Sequence, residues 1–451
     1  MWKKKEASPA IAFGGGNDDN VGGGNATIMT GDAERFRQFL ERSQRLPYGL
    51  DHATRCGAST RVYEMAAHRY GFFSQVHVAA HSLLQAAADD RLFVPGGMAP
   101  SNYVAAARCP SRDPFRCVFR PLAGCTAAQV DAVRATARAR AGEPAACRAG
   151  TKNSKLPKSV RDRCSYLLRS TDLAFDDRGW GGGGGGNNHL VDALKARAGL
   201  AGDHGVAFFY SLAVQLVARP APALSAHMRR IFRAVFPDAL RADADENERR
   251  KLSVDAMARA LSTVVAVHMR LGENRLGRKE YKPRTYARVV EHLRALHGGF
   301  THAWVSSDHG AEAVAAFTRE LHRRASTARG VTVVSTPGTF FEQGDAGLGS
   351  AEGARMTLRA SSSSSSSSTA APEWDEALTL AAQFKLFARC GFFVGTLTSN
   401  VGRFVWEQSA AWRGTGHPPV HDMDGGAALF FSGWEGSPFP HKPFWMSKSS
   451  N

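Results

Sequence analysis

The chain has 451 residues, about three times a typical domain, so two domains are expected rather than one core. Hydrophobic residues make up 43% and charged residues 22%, which excludes wholesale disorder, and the 45 glycines are clumped without a G-x-y period, which excludes collagen. The net charge of +16 directs the chain toward a polyanion, an anionic membrane surface or a phosphate-bearing ligand, and does not choose among the three.

Residues 1–30 are rich in Gly, Asn and Asp and are expected to be a disordered tail, within a lead-in that reaches residue 48. FFSQVHVAAHSLLQAAADD (72–90) has helical spacing, and RLFVPG (91–96) follows as a short strand with a turn. The stretch of about 148–204 contains a basic, small-residue segment and the run Gly181–Gly186, and is expected to be a low-complexity insertion. Residues 205–219 and 223–236 are two amphipathic helices separated at Pro220 and Pro222. An N-terminal domain over 49–255 is the result.

From residue 256 to 435 the alternation is clearer. STVVAVHMR (262–270), FTHAWVSSD (300–308), GVTVVST (330–336) and GFFVGT (391–396) are strands. TYARVVEHLRALHG (285–298), AEAVAAFTRELHRRA (311–325), EWDEALTLAAQFKLFARC (373–390) and NVGRFVWEQSA (400–410) are helices. A serine-rich insertion at about 343–372 contains Ser361–Ser368, and 436–451 is a tail. Strand–helix alternation with short connections predicts an α/β fold with a doubly wound parallel sheet. Ligands of such sheets sit at the carboxyl ends of the strands, here His268–Arg270, Ser306–Asp308, Ser335–Thr336 and Thr396–Asn400.

Six of the seven cysteines lie between Cys56 and Cys164 with no C-x-x-C pair, which favours local disulfides over zinc. No apolar run reaches the ~18–20 residues of a membrane span. The opening MWKKKEASPAIAFGGG lacks an apolar signal core, so the chain is expected either to be soluble or to have an anchor upstream.

Arg270 leaves a buried strand at the ligand edge, where a planar, permanently charged guanidinium suits phosphate oxygens. GTLTSN passes directly from strand to helix, so Thr398, Ser399 and Asn400 occupy an N-cap region whose backbone N–H groups also suit phosphate. Ordinary capping accounts for Ser399 or Asn400 equally well. There is no G-x-x-x-x-G-K-[ST], so a P-loop enzyme is not expected.

The pattern from VHMR to Pro283, then VSSD, then GFFVGTLTSNVGRFVWEQ, resembles the α-1,6-fucosyltransferases of core N-glycan fucosylation. GFFSQVHVAAHSLLQAAADDRLFVP, CVFRPLAGC and VQLVARPAPAL resemble the first domain of that family in the same order, and HDMDG (421–425) resembles its closing segment. The resemblance spans about residues 56–435. It implies a GT-B-like architecture of two facing α/β domains, the C-terminal one Rossmann-type and holding GDP-fucose. It further implies inversion at the anomeric carbon without a metal or other cofactor, a glycan or glycoprotein acceptor, no nucleic acid, and the Golgi lumen or membrane. Arg270 then matches the arginine that neutralises the diphosphate, His268 its neighbour, Ser399 a serine near the phosphates, and Asp308 an acidic position. Gly71, Gln75 and His77 match a cleft-lining segment, although packing serves His77 equally. Cys56 and Cys125 bracket the first-domain segment and are expected to pair.

Three positions depart from the family. Leu271 stands where a second arginine is usual, and Arg278 where the catalytic carboxylate falls by ungapped spacing. Gln383 replaces the guanine-reading aspartate. Glu280 and Glu273 remain as alternative bases. The departures keep open a catalytically degenerate sugar-nucleotide or glycan-binding protein of the same fold. A basic polyanion binder is the third reading, although the basic residues are dispersed with no arginine-rich block.

Overall fold

Apolar runs of period two and period 3.6 settle here into two parallel sheets with helices between and outside them. The structure, a computed structural model, describes residues 31–44, 60–65, 72–95, 114–122, 127–139, 159, 164, 166–169, 188–202, 204–237, 254–271, 281–324, 330–336, 341–343, 356–358, 376–413 and 419–424. In chain order the first half contains α1 (Gly31–Ser43), β1 (Val62–Met65), α2 (Phe72–Ala88), β2 (Leu92–Pro95), α3 (Pro114–Cys117), α4 (Ala127–Ala139), β3 (Tyr166–Arg169), α5 (Asn188–Ala198), α6 (Val206–Val217) and α7 (Pro222–Val235). The second contains α8 (Val254–Leu261), β4 (Val264–Met269), α9 (Pro283–His297), β5 (His302–Ser307), α10 (Gly310–Arg324), β6 (Thr332–Val334), β7 (Phe341–Gln343), β8 (Met356–Leu358), α11 (Glu376–Phe387), β9 (Phe392–Gly395), α12 (Asn400–Arg413) and β10 (Val420–Asp422).

The larger sheet has strand order β10-β9-β4-β5-β6, all parallel. Its central strand β4 is buried throughout, as expected of a strand covered on both faces. The period of two divides its side chains between two cores. Val264 and Ala266 join Trp304 and the apolar faces of α7 and α11. Val265, Val267 and Met269 join Tyr286, Val290, Phe317 and Leu321 of α9 and α10. Helices therefore flank this sheet on both faces, and α9 is well delimited, with Pro283 in its first turn and Gly298 at φ +63° beyond its end.

The smaller sheet is β2-β1-β3, also parallel. Between the sheets lies a helical layer in which α6 packs on α2 and α12, and α7 on α11. Phe73 of α2 stands 5.5 Å from the ring of Phe384 and 4.5 Å from that of Phe404, so one apolar cluster extends from α1 to α12 and serves both sheets.

Three segments depart from expectation. The lead-in before residue 48 contains α1, whose Ala33, Phe36, Phe39 and Leu40 form a buried helical stripe. Phe36 packs edge-on against Phe209 at 4.7 Å. The stretch expected as an insertion at 148–204 supplies β3, which pairs with β1, and α5 with its buried Leu194. A four-residue strand and an eleven-residue helix are too short to dominate the composition around them, which is why the flanking Gly and basic residues mask them. The serine-rich insertion is entered through an antiparallel hairpin, β7 with β8, with Phe341 opposite Leu358. The expected domain boundary at 255/256 falls inside α8. Cys117 and Cys164 are each disulfide-bonded, and Cys390 is a buried free thiol. Cys56 and Cys125 lie outside the described residues.

Candidate functional site at the strand edge

The strand order locates the site before any side chain is considered. From β4 the chain moves outward through β5 and β6, then returns to place β9 on the other side of β4. The connections leaving β4 and β9 therefore diverge, and the gap between their carboxyl ends is the switch point at which such sheets take ligands. Arg270 follows β4 and Ser399 precedes α12, so both face this gap.

They meet there. Arg270 Nη1 donates to Ser399 Oγ at 3.2 Å. Arg270 is exposed and Ser399 buried, so a charged fork at the surface rests on a fixed hydroxyl at a helix start. Gly402 allows this helix start to lie close to the preceding loop, since a Cβ there would come within 2.0 Å of the Thr396 carbonyl oxygen.

The neighbouring candidates mostly support this edge rather than face outward. His268 is buried, with Nδ1 at 2.9 Å from Ser306 Oγ and its ring edge-on to Phe384 at 5.1 Å. Desolvation drives its pKa down to about 4, with Asp308 opposing the shift and Arg270 adding to it, so the ring is neutral at pH 7. Asp308 accepts the backbone N–H of Leu271 at 2.8 Å and so orients the chain as it leaves β4. Thr398 is tied by its hydroxyl and its N–H to Asp424, which also accepts the N–H of Leu397 at 3.1 Å. Tyr281 lies near this acidic pair, and desolvation followed by Asp424 and Asp422 pushes its pKa up to about 12.

Asn400 and His77 connect the edge to the first half of the chain. Asn400 Nδ2 donates to Ser74 Oγ at 2.6 Å, and its Oδ1 faces His77 Nδ1 at 3.2 Å and accepts from Arg403. The other ring nitrogen of His77 is 2.8 Å from Glu407 Oε2, with both side chains buried. Tyr210 of α6 donates to the His77 carbonyl at 2.6 Å. Gln75 is buried on the same helix as His77. Gln383 is fully buried on α11, and neither atom of its amide has a hydrogen-bond partner among the described residues.

Arg270, Ser399, His268 and Asp308 lie at one sheet edge, and Asn400 and His77 form an adjoining polar cluster with Ser74, Arg403 and Glu407 at the start of α12. Gly71 and both candidate bases, Glu273 and Glu280, lie outside the described residues. Ser74, Glu407, Asp422 and Asp424 were not expected at this edge. The signal for Glu407 was a carboxylate within the otherwise apolar helical stretch FVWEQSA. Among the described residues no group of three or more His, Cys, Asp or Glu side chains is placed to hold a metal ion, and no helix is long and apolar enough to cross a membrane.

No protein-family model matches the chain, and no curated protein matches it.

Proposed function

We propose that the chain is an inverting glycosyltransferase of the α-1,6-fucosyltransferase type, transferring fucose from GDP-fucose to a hydroxyl of a glycan acceptor. The observation that carries this reading is the Arg270–Ser399 contact at the switch point between β4 and β9. It supplies a permanent cation, a fixed hydroxyl and a helix N-terminus at the edge where a doubly wound sheet holds a nucleotide. In this reading the two sheets are the halves of a GT-B-like arrangement and the larger one is the Rossmann-type half.

In the transfer step Glu280 or Glu273 takes the proton of the acceptor hydroxyl. The oxygen attacks the anomeric carbon from the face opposite GDP, and the bond from that carbon to the diphosphate oxygen breaks. Arg270 and the start of α12 stabilise the negative charge gained by the departing GDP, a role for which no metal is required. Gln383 carries an amide without a hydrogen-bond partner among the described residues, where a carboxylate would favour guanine more strongly. The disulfide-bonded Cys117 and Cys164 favour an oxidising compartment such as the Golgi lumen.

The test is a thermal-shift panel of GDP, UDP and their sugars, followed by fucose transfer to glycan acceptors. Stabilisation by GDP and turnover abolished in Arg270→Ala support the reading. No GDP stabilisation and no transfer overturn it. GDP stabilisation without turnover on any acceptor would instead favour the degenerate binding protein, the reading motivated by Leu271, Arg278 and Gln383.

A further inference from the structure

Away from the strand edge, a cavity of about 280 Å³ opens where α1, α6, α11 and α12 converge. It is not part of the proposed transfer site. Helix α12 begins at the edge with Asn400 and reaches the cavity only with Gln408 and Trp412, roughly 12 Å or more further along its axis.

The lining is unusual in its charge. Among the described residues Arg37, Arg219, Lys385 and Arg389 all contribute, with Glu41 as the carboxylate of the lining. Arg37 is already held by Glu34, outside the lining, at 2.8 Å and by Glu41 at 2.8 Å, and Glu41 also lies 3.8 Å from Arg219. Lys385 is the most deeply placed of the four. It is buried, and its Nζ donates at 2.5 Å to Gln408 Oε1, a neutral amide. Burial, with Arg389 adding to it, brings the ammonium down to about 7. Gln408 is itself buried, and its Nε2 has no hydrogen-bond partner among the described residues. An amide donor and an ammonium thus line a small space beside the guanidinium groups of Arg219 and Arg389. Leu212, Leu216 and Trp412 supply the apolar and aromatic part of the lining.

The geometry points to a binding site for a small ring-bearing phosphate monoester in this cavity. Lys385 has an amide rather than a carboxylate as its hydrogen-bond acceptor and Gln408 Nε2 has no partner among the described residues, and an ammonium beside guanidinium forks is a usual partner of phosphate oxygens. Gln408 Nε2 donates to a further oxygen, and the ring lies against Trp412. The volume is at the lower limit of small-molecule pockets, which restricts the organic part to about one ring. The site stands independently of the transfer reaction.

Phenyl phosphate is the probe, titrated into the full chain by calorimetry, with benzoate and inorganic phosphate as comparison ligands. The expected result is saturable binding at one site, weakened about tenfold or more by Lys385→Met and by Arg389→Gln, and strengthened by Glu41→Gln. Benzoate and inorganic phosphate should each bind more weakly, one lacking the dianion and the other the ring. Lys385→Met replaces a desolvated ammonium by an apolar chain of similar length, so it should fold, and its thermal melt verifies this. Absence of saturable binding up to about 10 mM overturns the proposal. So do unchanged affinity in both variants, tighter binding of benzoate, or displacement of phenyl phosphate by GDP. Failure of GDP binding or of fucose transfer alone leaves these outcomes readable.

Discussion

Helix α12 passes through two contrasting environments. At its start, polar side chains are matched to one another: Asn400 to Ser74 and His77, His77 to Glu407, and Ser399 to Arg270. Toward its end, Gln408 lines a cavity that also contains, among the described residues, Arg219, Arg389 and the buried Lys385, which has an amide where an ion pair would be expected. Buried polar groups cost free energy unless partnered, and a buried charge costs more. At the first end the groups named here meet that cost through one another, and Arg270 is exposed. At the second, Lys385 is held by an amide and Gln408 Nε2 has no partner among the described residues, the gap that the proposed anion would fill. The two ends teach that a polar cluster signals a ligand through what its partners leave unmatched, not through the number of its polar residues.

Four substitutions test that contrast. Arg270→Ala should lower transfer by about a hundredfold or more, the usual effect of removing a group that stabilises transition-state charge. Because Arg270 is exposed, the unfolding free energy of the variant in urea should stay within about 0.5 kcal/mol of the wild type. A large loss of stability instead would show the arginine to be a structural strut.

Glu407→Leu comes next. It leaves His77 Nε2 without its acceptor in a dry site and should cost about 2–3 kcal/mol in urea unfolding. If His77→Phe combined with Glu407→Leu restores most of the loss, the pair is matched as described.

Lys385→Met should have the opposite sign. In the folded chain the ammonium titrates near 7 rather than 10.5, so between those values the unfolded chain binds more protons. Stability of the wild type therefore rises with pH across that window, by up to about 1.4 kcal/mol per pH unit. The variant should be the more stable protein at pH 7, with an advantage that shrinks toward pH 10.5. A constant gap would show that Lys385 is not desolvated.

His268 has no effect of this kind at neutral pH and acts on the acid side. Its folded pKa of about 4 lies below the ordinary 6.5, so stability falls as pH drops from 6.5 to 4, when the unfolded chain takes up a proton that the buried ring resists. His268→Asn should flatten that limb of the pH–stability curve. An unaltered limb would place the sensitivity elsewhere, with His421, also shifted down to about 4, as the next residue to replace.

Much of the larger sheet was legible in the sequence because its strands are β-branched, buried runs and its helices carry wide apolar stripes. The residues just after β4 and before α12 could be named on that basis. The strand order could not, since periodicity does not reveal which strands pair, and without it the switch point had no address. Helix α1, β3 and α5 were hidden by small or basic neighbours that dominate composition over any window. The partners of His77 are more than 300 residues distant in sequence, and only packing brings them together. The cationic cavity draws on four helices from both halves of the chain. Its one local signal was Lys385, a lone charge in the apolar run LTLAAQFKLFA.

The apolar cluster that extends from α1 to α12 has a mechanical consequence. Phe73, held between Phe384 and Phe404, acts as a rivet between the layers. Opening the sheets like a book would expose all three rings to water. The halves should therefore melt in one calorimetric transition, and a hinge between them is not available as a device for admitting a substrate.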